Sequence, residues 1–175
     1  MAIWNIDPDH SVAAFTVRHM LLCDVHGLLN SISGSIRFDP ARPTEAMVEA
    51  TLDVSKIHTG IAKRDEHLRS ADFFDVAHFP TISFRSSRVE TGGSGPVRVT
   101  GDLTIRGVTR PTTLEVRSAG PVKSPFGGET TMGFQATTTI NRHDFGVSWN
   151  ELMEGGAIVD SQVRITLNIE ADLAE

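Results

Sequence analysis

Residues 65–84 read D-E-H-L-R-S-A-D-F-F-D-V-A-H-F-P-T-I-S-F, and they contain the one segment of the chain that predicts a helix. Residues 61–74 include no proline or glycine, and many of them are fair to good helix formers. Ile61, Leu68 and Ala71 fall on one thin apolar stripe at helical spacing. Because so short a stripe cannot stabilise an isolated helix, we expect a short helix that lies over the mouth of a β structure.

Outside this segment the sequence alternates apolar and polar residues, as half-buried strands do. The longest such run covers residues 161–171, and about eight or nine runs of this kind are separated by turn residues. No helical segments alternate with them, which excludes a parallel βαβ architecture. Long strands with one apolar face favour a closed antiparallel barrel over a sandwich, since closure removes exposed edges. The sequence therefore predicts an all-β fold in a single domain over residues 1–175.

Several positions on the predicted inward faces carry small side chains. These positions are Ala13, Ala50, Gly101, Ala136, Thr138 and Ser161. Small residues that face inward leave volume unfilled, and an eight-stranded barrel is wide enough to hold one ligand. The pattern therefore indicates an internal cavity.

Composition limits the classes of partner. The net charge of −6 argues against nucleic acids and anionic membrane surfaces, which select basic patches. The single cysteine, Cys23, excludes an intrachain disulfide and a cysteine-rich metal site. The N-terminus shows no basic region followed by an apolar core, and no apolar run approaches the roughly 20 residues of a spanning helix. We therefore expect a cytoplasmic protein with no integral membrane segment.

Seven histidines and 22 acidic residues invite a search for catalytic or metal sites. The sequence has no H-E-x-x-H, no paired cysteines and no G-x-S-x-G, so none of these motifs supports a catalytic or metal site. Hydrogen-bonded histidines at strand and helix ends are the simpler interpretation. His67 and Asp72, with Asp65 nearby, leave one alternative open, a small-molecule hydrolase or isomerase.

Aromatic residues cluster in the two segments that do not alternate. Phe73, Phe74 and Phe79 lie in the first of these segments, and Phe145 and Trp149 lie in the second. They either plug one end of the barrel or form a portal that admits an apolar ligand. In the second case, the neighbouring polar residues at 142–144 would supply a polar rim for a headgroup.

Six short motifs span nearly the whole chain. They are W-x-I-D-x-x-H-S at 4–11, F-x-V-x-H at 15–19, R-D-x-H-L-R-S-x-D-F-F-D at 64–75, F-P-x-I-x-F at 79–84, G-x-L-T-I-x-G-V-T at 101–109 and I-N-R-x-D-F-G-V at 140–147. In these motifs, and in their order, the chain resembles the YceI-like family of polyisoprenoid-binding, lipocalin-like proteins. The resemblance implies an extended antiparallel eight-stranded barrel with a helix at one end and a tunnel for an isoprenoid chain. It further implies a carrier of amphiphiles such as isoprenoid quinones or prenyl phosphates. Many members resemble secreted periplasmic proteins, whereas this chain shows no leader.

We hypothesise a non-enzymatic protein that binds, stores or transports an isoprenoid, needs no cofactor and takes a polyisoprenoid or isoprenoid quinone as ligand. The residues predicted to line the tube are Phe15, Val17, His19, Phe38, Phe84 and Phe134. Those predicted near the mouth are Phe73, Phe74, Phe145 and Trp149, with Arg142 or His67 at the headgroup. A further alternative is a structural homodimer whose barrel is plugged by its own side chains.

Overall fold

The structure, a computed structural model, describes residues 1–93 and 95–174. The strands of these residues are β1 (Ala2–Ile6), β2 (Val12–His19), β3 (Cys23–Leu29), β4 (Ile32–Phe38), β5 (Met47–Asp53), β6 (Thr81–Thr91), β7 (Val97–Ile105), β8 (Val108–Lys123), β9 (Thr130–Asn141), β10 (Leu152–Met153), β11 (Gly156–Ala157) and β12 (Val159–Leu173). The helices are α1 (Ala62–Arg69) and the short 3-10 helices Pro43–Glu45, Val54–Lys56 and Arg142–Phe145. Within this part of the chain, no helix combines the length and apolar character needed to cross a membrane.

The strands close into an antiparallel barrel with eight positions around the ring. β12 pairs with β9 along one edge, and β2 and β1 lie end to end along its other edge. β3 pairs with β2 and β4 pairs with β1, so β3 and β4 together occupy the next position of the ring. β5 to β9 occupy the remaining positions and lead back to β12. The predicted all-β fold, an antiparallel eight-stranded barrel with one short helix, is confirmed.

The corner between β1 and β2 explains the first of the six motifs. The backbone N–H of Asp7 donates to Glu170 O at 2.9 Å, and the buried Ser11 hydroxyl donates to the same carbonyl at 3.2 Å. His10 Nδ1 lies 2.7 Å from Asp7 Oδ2. These bonds fix the bend that lets β1 and β2 share one edge of β12.

The two ends of the barrel are built differently. We call the helix end the one formed by α1, the β2–β3 turn and residues 142–158. The opposite end carries Ala2 at the start of β1, Leu173 at the end of β12 and the connections 39–46 and 124–129. Most of the core lies between the two ends, on the inward faces of the strands.

The predicted short helix is confirmed as α1, but its predicted apolar stripe is wrong. Ile61 is 54% exposed and Ala71 is also exposed, while Leu68 packs against the core. The buried anchor is instead Asp65, which accepts hydrogen bonds from the backbone N–H and the hydroxyl of Thr59. The helix is therefore held by a buried carboxylate as well as by apolar contact.

The pKa of Asp65 reflects this position. Burial on its own raises the pKa of the carboxyl, but the hydrogen bonds from Thr59 and the neighbouring His58 outweigh burial and hold the pKa below its ordinary value. His58 Nδ1 lies 3.3 Å from the carboxylate. The charged form of Asp65 is thus the one that the fold stabilises.

Candidate ligand-binding cavity

The barrel encloses a cavity of about 430 Å³ with an almost wholly apolar wall. β2, β4 to β9 and β12 all contribute aliphatic or aromatic side chains to it. A cavity of this size lies in the range of small-molecule sites. The interpretation of the barrel as plugged by its own side chains is therefore wrong, because the inward side chains do not fill it.

All twelve residues that the sequence assigned to ligand binding lie on the wall of this cavity. They are Phe15, Val17, His19, Phe38, His67, Phe73, Phe74, Phe84, Phe134, Arg142, Phe145 and Trp149. The strand residues reach the wall because successive side chains of a strand point to opposite faces, so the alternation identifies the inward set. Their contact with a ligand stays a prediction.

The small inward residues follow the prediction in part. Ala13, Ala50, Ala136 and Thr138 line the cavity, whereas Gly101 and Ser161 do not. A Cβ at Gly101 would lie 2.4 Å from the carbonyl oxygen of Arg85, next to the irregular pairing of β6 with β7. This glycine therefore permits two backbones to approach and leaves no free volume.

A glycine also shapes the aromatic wall. Phe15 of β2 pairs with Gly27 of β3, and a Cβ at Gly27 would lie 2.1 Å from the Phe15 ring. The ring therefore lies across the glycine. Any larger residue at position 27 would have to push the ring aside.

At the helix end, three rings form a compact cluster on the cavity wall. The His67 ring is edge-on to Phe73 at 5.0 Å and to Trp149 at 4.8 Å, measured between centroids. His67 Nε2 lies 2.8 Å from Asp72 Oδ2, although Asp72 lies beyond the end of α1 and not on the helix with His67. Phe79 is absent from the described wall and instead packs its ring against the β7–β8 turn at Gly107.

Arg142 has a structural role that the sequence did not reveal. Its guanidinium donates to four carbonyl oxygens, those of Val147 at 2.8 Å, Trp149 at 2.9 Å, Val159 at 3.0 Å and Asp160 at 2.7 Å. Four of the five N–H donors of an arginine are thereby in use. The prediction that Arg142 meets a headgroup is not supported by this geometry, because the side chain secures residues 142–160 instead.

Burial lowers the pKa of Arg142, and the nearby Asp160 offsets part of that effect. The predicted polar rim at 142–144 does not form as a unit. Arg142 points inward, while His143 and Asp144 are exposed and do not belong to the cavity wall.

Two basic residues on the wall were missed. Arg18 Nε lies 2.7 Å from Asp24 Oδ1, and Arg64 Nε donates to Thr59 Oγ1 at 2.7 Å. Arg18 belongs to the polar face of β2, and its half-exposed side chain also borders a groove on the outer face with Asp24 and Arg164, so it is only marginal to the cavity. Arg64 opens the motif at 64–75, which was the one sequence signal that could have identified it.

The ionisable residues of the described wall all lie towards the helix end. They are Arg18, His19, Arg64, His67 and Arg142. The remaining wall, from the strand centres to the opposite end, is apolar apart from hydroxyl groups such as that of Ser118. The cavity thus has a polar end and an apolar end.

A separate group of potential metal ligands lies at the β1–β2 corner, away from the cavity wall. Ligand atoms of Asp7, His10 and Glu170 lie within 4.8 Å of one another. The hydrogen bond with Asp7 raises the pKa of His10, and the same bond is the main cause of the lowered pKa of Asp7. The ion pair formed by Asp7 and His10 accounts for this arrangement without a metal.

Comparisons with known proteins agree with the geometry. The family model of the YceI-like domain matches residues 4–171. A UPF0312 protein of Pseudomonas putida (strain W619) is 36% identical over 148 residues, which are 83% of this chain and 77% of that protein. Burkholderia cenocepacia BcnA has a TM-score of 0.84 at 26% identity, covering 95% of this chain and 99% of that one.

A more distant solved structure shares the fold. It is a polyisoprenoid binding domain from Saccharophagus degradans, implicated in plant cell wall breakdown. Its TM-score is 0.70 at 15% identity, and the match covers 99% of this chain and 100% of that one.

Proposed function

The chain belongs to the YceI-like domain family, and from that premise we propose that it binds the hydrocarbon chain of an isoprenoid or a similar amphiphilic lipid inside its barrel. The observation that carries the proposal is the cavity of about 430 Å³ with its apolar wall. The Saccharophagus degradans domain, described as polyisoprenoid binding, has the same fold and supports this class of ligand.

The size of the cavity indicates the length of chain that it accepts. A cavity of about 150 Å³ admits benzene, so a carbon atom takes roughly 25 Å³. The cavity therefore has room for about 17 carbons, or roughly three isoprene units. Each unit buries about five carbons, worth ~4 kcal/mol gross at ~0.8 kcal/mol per carbon. Association costs about 4–15 kcal/mol, so affinity should rise with chain length until the cavity is full.

The polar and apolar ends of the cavity suggest an orientation for the ligand. The headgroup would lie at the helix end, near Arg64 and His67, and the tail would extend towards Phe38 and Phe134. Arg64 donates to Thr59 rather than to a carboxylate, so its positive charge favours neutral or anionic headgroups over cationic ones.

Family membership suggests a binding protein rather than an enzyme, and we propose that the protein carries or stores the lipid without converting it. One alternative function is a hydrolase or isomerase that uses the same cavity, and the observation that favours it is the hydrogen bond between His67 and Asp72. Turnover of a bound substrate that disappears in His67→Ala would support that alternative. The cytoplasmic location and the homodimer predicted from the sequence stay predictions.

The experiment that tests the function is mass spectrometry of lipid extracted from natively purified protein. We expect a stoichiometric isoprenoid or comparable amphiphile. If the extract is empty, the protein is incubated with isoprenoid quinones and prenyl phosphates of increasing chain length. Failure to bind any of them would contradict the proposal.

A matched pair of variants shows whether the cavity is the site. Ala136 is buried on the cavity wall and its neighbour Thr137 is exposed on the outer face of β9. Ala136→Phe should fill the cavity and lower isoprenoid affinity by at least tenfold. Thr137→Phe adds the same ring on the other face and should leave the affinity unchanged. Equal effects of the two variants would show that the ligand binds elsewhere.

A further inference from the structure

The β2–β3 turn presents three consecutive large apolar side chains to solvent. Met20 is 40% exposed, Leu21 is 57% exposed and Leu22 is 76% exposed. The backbone of Met20 and Leu21 has φ of 51° and 61°, in the left-handed region that residues with side chains rarely adopt. The turn therefore has an unusual backbone that directs apolar groups outward.

Hydrogen bonds hold this turn in place. Met20 N–H donates to Ile158 O at 2.7 Å, and Leu22 N–H donates to His19 O at 3.0 Å. Exposed apolar residues on a fixed backbone need no ordering when they bind a partner, which favours binding. Positive φ at two successive residues is what a tight β-hairpin turn requires, so the turn is a defined structure rather than a loose loop.

A second exposed apolar side chain adjoins the turn. The hairpin of β10 and β11 carries Leu152, which is 88% exposed. The two elements touch, because Leu21 Cδ1 lies 3.7 Å from where a Cβ of Gly156 would be. We call Met20, Leu21, Leu22 and Leu152 the mouth patch.

The mouth patch is continuous with the polar end of the cavity. His19 and Val25 flank the turn on either side, and both line the cavity. Ile158, whose carbonyl holds the turn, also lines it. The patch therefore lies beside the helix end of the cavity, where we expect a ligand to enter.

We propose that the mouth patch inserts into the surface of a lipid bilayer and so docks the helix end of the barrel on the membrane that supplies its ligand. The inference rests on the proposed function, because an isoprenoid of several units resides in membranes rather than in water. Exposed apolar residues rimmed by polar ones are typical of membrane contact sites.

Charge and area favour a bilayer over a second protein. Glu151 and Glu154 flank Leu152, so the contact depends on apolar burial rather than on attraction to anionic lipids. Four side chains bury at most about 500 Å², which is well below the roughly 800 Å² per partner of a stable protein interface.

The test uses Cys23, which is the single cysteine of the chain, is exposed and lies next to the turn. An environment-sensitive fluorophore on Cys23 should shift its emission to the blue when phosphatidylcholine vesicles are added. The control probe is placed on Phe126→Cys in a Cys23→Ser background, since Phe126 is 99% exposed at the opposite end. The control should show no shift. A shift of both probes, or of neither, overturns the inference.

A second pair of variants gives the same test without a label. Leu22→Ser with Leu152→Ser removes the two most exposed side chains of the patch, which contribute little to folding. This variant should reduce the vesicle-bound fraction at least tenfold in flotation assays. Val122→Ser with Phe126→Ser is the matched control, because these residues are 64% and 99% exposed at the opposite end. The control should bind vesicles as the wild type does.

The outcomes separate the docking surface from the lipid site. Affinity for a short prenyl alcohol in solution should be equal in the wild type and in Leu22→Ser with Leu152→Ser. Binding of that alcohol without vesicle binding overturns the docking inference alone. Vesicle binding without any isoprenoid binding overturns the proposed function alone. A dimer that the patch variant dissociates, or binding confined to anionic vesicles and lost in salt, would also contradict the inference.

Discussion

The two ends of the barrel are closed by different kinds of interaction. At the opposite end, Phe38 and Phe134 pack edge to face with ring centroids 5.5 Å apart, and both side chains are buried. At the helix end, long segments outside the barrel strands cover the cavity, and Arg142 and Asp65 are buried within them. Where charged groups are buried, the stability of the closed end depends on a few hydrogen bonds. Where apolar side chains pack, it depends on many weak contacts. Access to the cavity is therefore expected at the helix end.

The largest effect is expected when the helix end loses its arginine. Arg142→Met would leave the carbonyl oxygens of Val147, Trp149 and Asp160 without this donor, while Val159 O would keep its bond from Asn150 Nδ2. Because unsatisfied buried groups are costly, we expect a loss of about 3–5 kcal/mol in the free energy of unfolding, measured by urea denaturation.

Arg117 on the outer face of β8 is the control, since it is exposed. Arg117→Met should change stability by less than about 0.5 kcal/mol. Hydrogen exchange in Arg142→Met should increase in residues 142–160 and stay low at the opposite end. Equal protection at both ends would remove the distinction between them.

The next largest effect is expected for Asp65, whose contribution to the stability of the helix end should depend on pH. The lowered pKa of Asp65 means that its stabilising contribution is fully present above the unfolded value of about 3.9 and is lost as the pH falls through the folded value. At pH 7, Asp65→Asn should therefore cost about 1.5–3 kcal/mol. The cost should shrink as the pH is lowered below about 4.

Urea denaturation of both proteins at several pH values checks this expectation. Asp102→Asn, at an exposed position on β7, serves as the control and should be neutral throughout. A cost of Asp65→Asn that is independent of pH would show that the carboxylate charge contributes nothing.

Two strand glycines, one against an aromatic ring and one with free space beside it, should differ in how much an added methyl group lowers stability. Gly27→Ala should push the Phe15 ring from its place and destabilise the protein by about 1–3 kcal/mol. Gly133 of β9 has no atom within 4 Å of its Cβ position, so Gly133→Ala should be neutral or slightly stabilising. Thermal denaturation compares the two variants, and equal melting temperatures would contradict the contact at Gly27.

The smallest effect concerns the β1–β2 corner, where the response to pH has the opposite sign. The raised pKa of His10 means that its contribution is present below the unfolded value of about 6.5 and is lost as the pH rises through the folded value. An NMR titration should show the raised pKa in the wild type and its return towards the ordinary value in Asp7→Asn. An identical titration curve in the variant would contradict the ion pair.

The inward faces of the strands were predictable because their signal is local. Phe15, Phe84 and Phe134 each lie within an alternating run, and a period of two places every second side chain on the same face. The same reasoning failed at Gly101, because only the pairing of β7 with β6 shows that this position serves close backbone approach. The prediction that Ile61 and Ala71 are buried was wrong for a related reason, since the helix is held by the hydrogen bonds of Asp65 with Thr59 as well as by apolar packing.

The sequence by itself determined the all-β class, the single short helix and most of the apolar wall, because alternation, helix propensity and turn residues act over a few neighbouring positions. Only the tertiary structure decided that Arg142 holds carbonyls up to 18 residues away, that Arg64 joins the polar end, and that Met20 to Leu22 lie beside the mouth. These features depend on which segments meet when the barrel closes. Contacts between distant parts of a chain leave no periodic signal in either part.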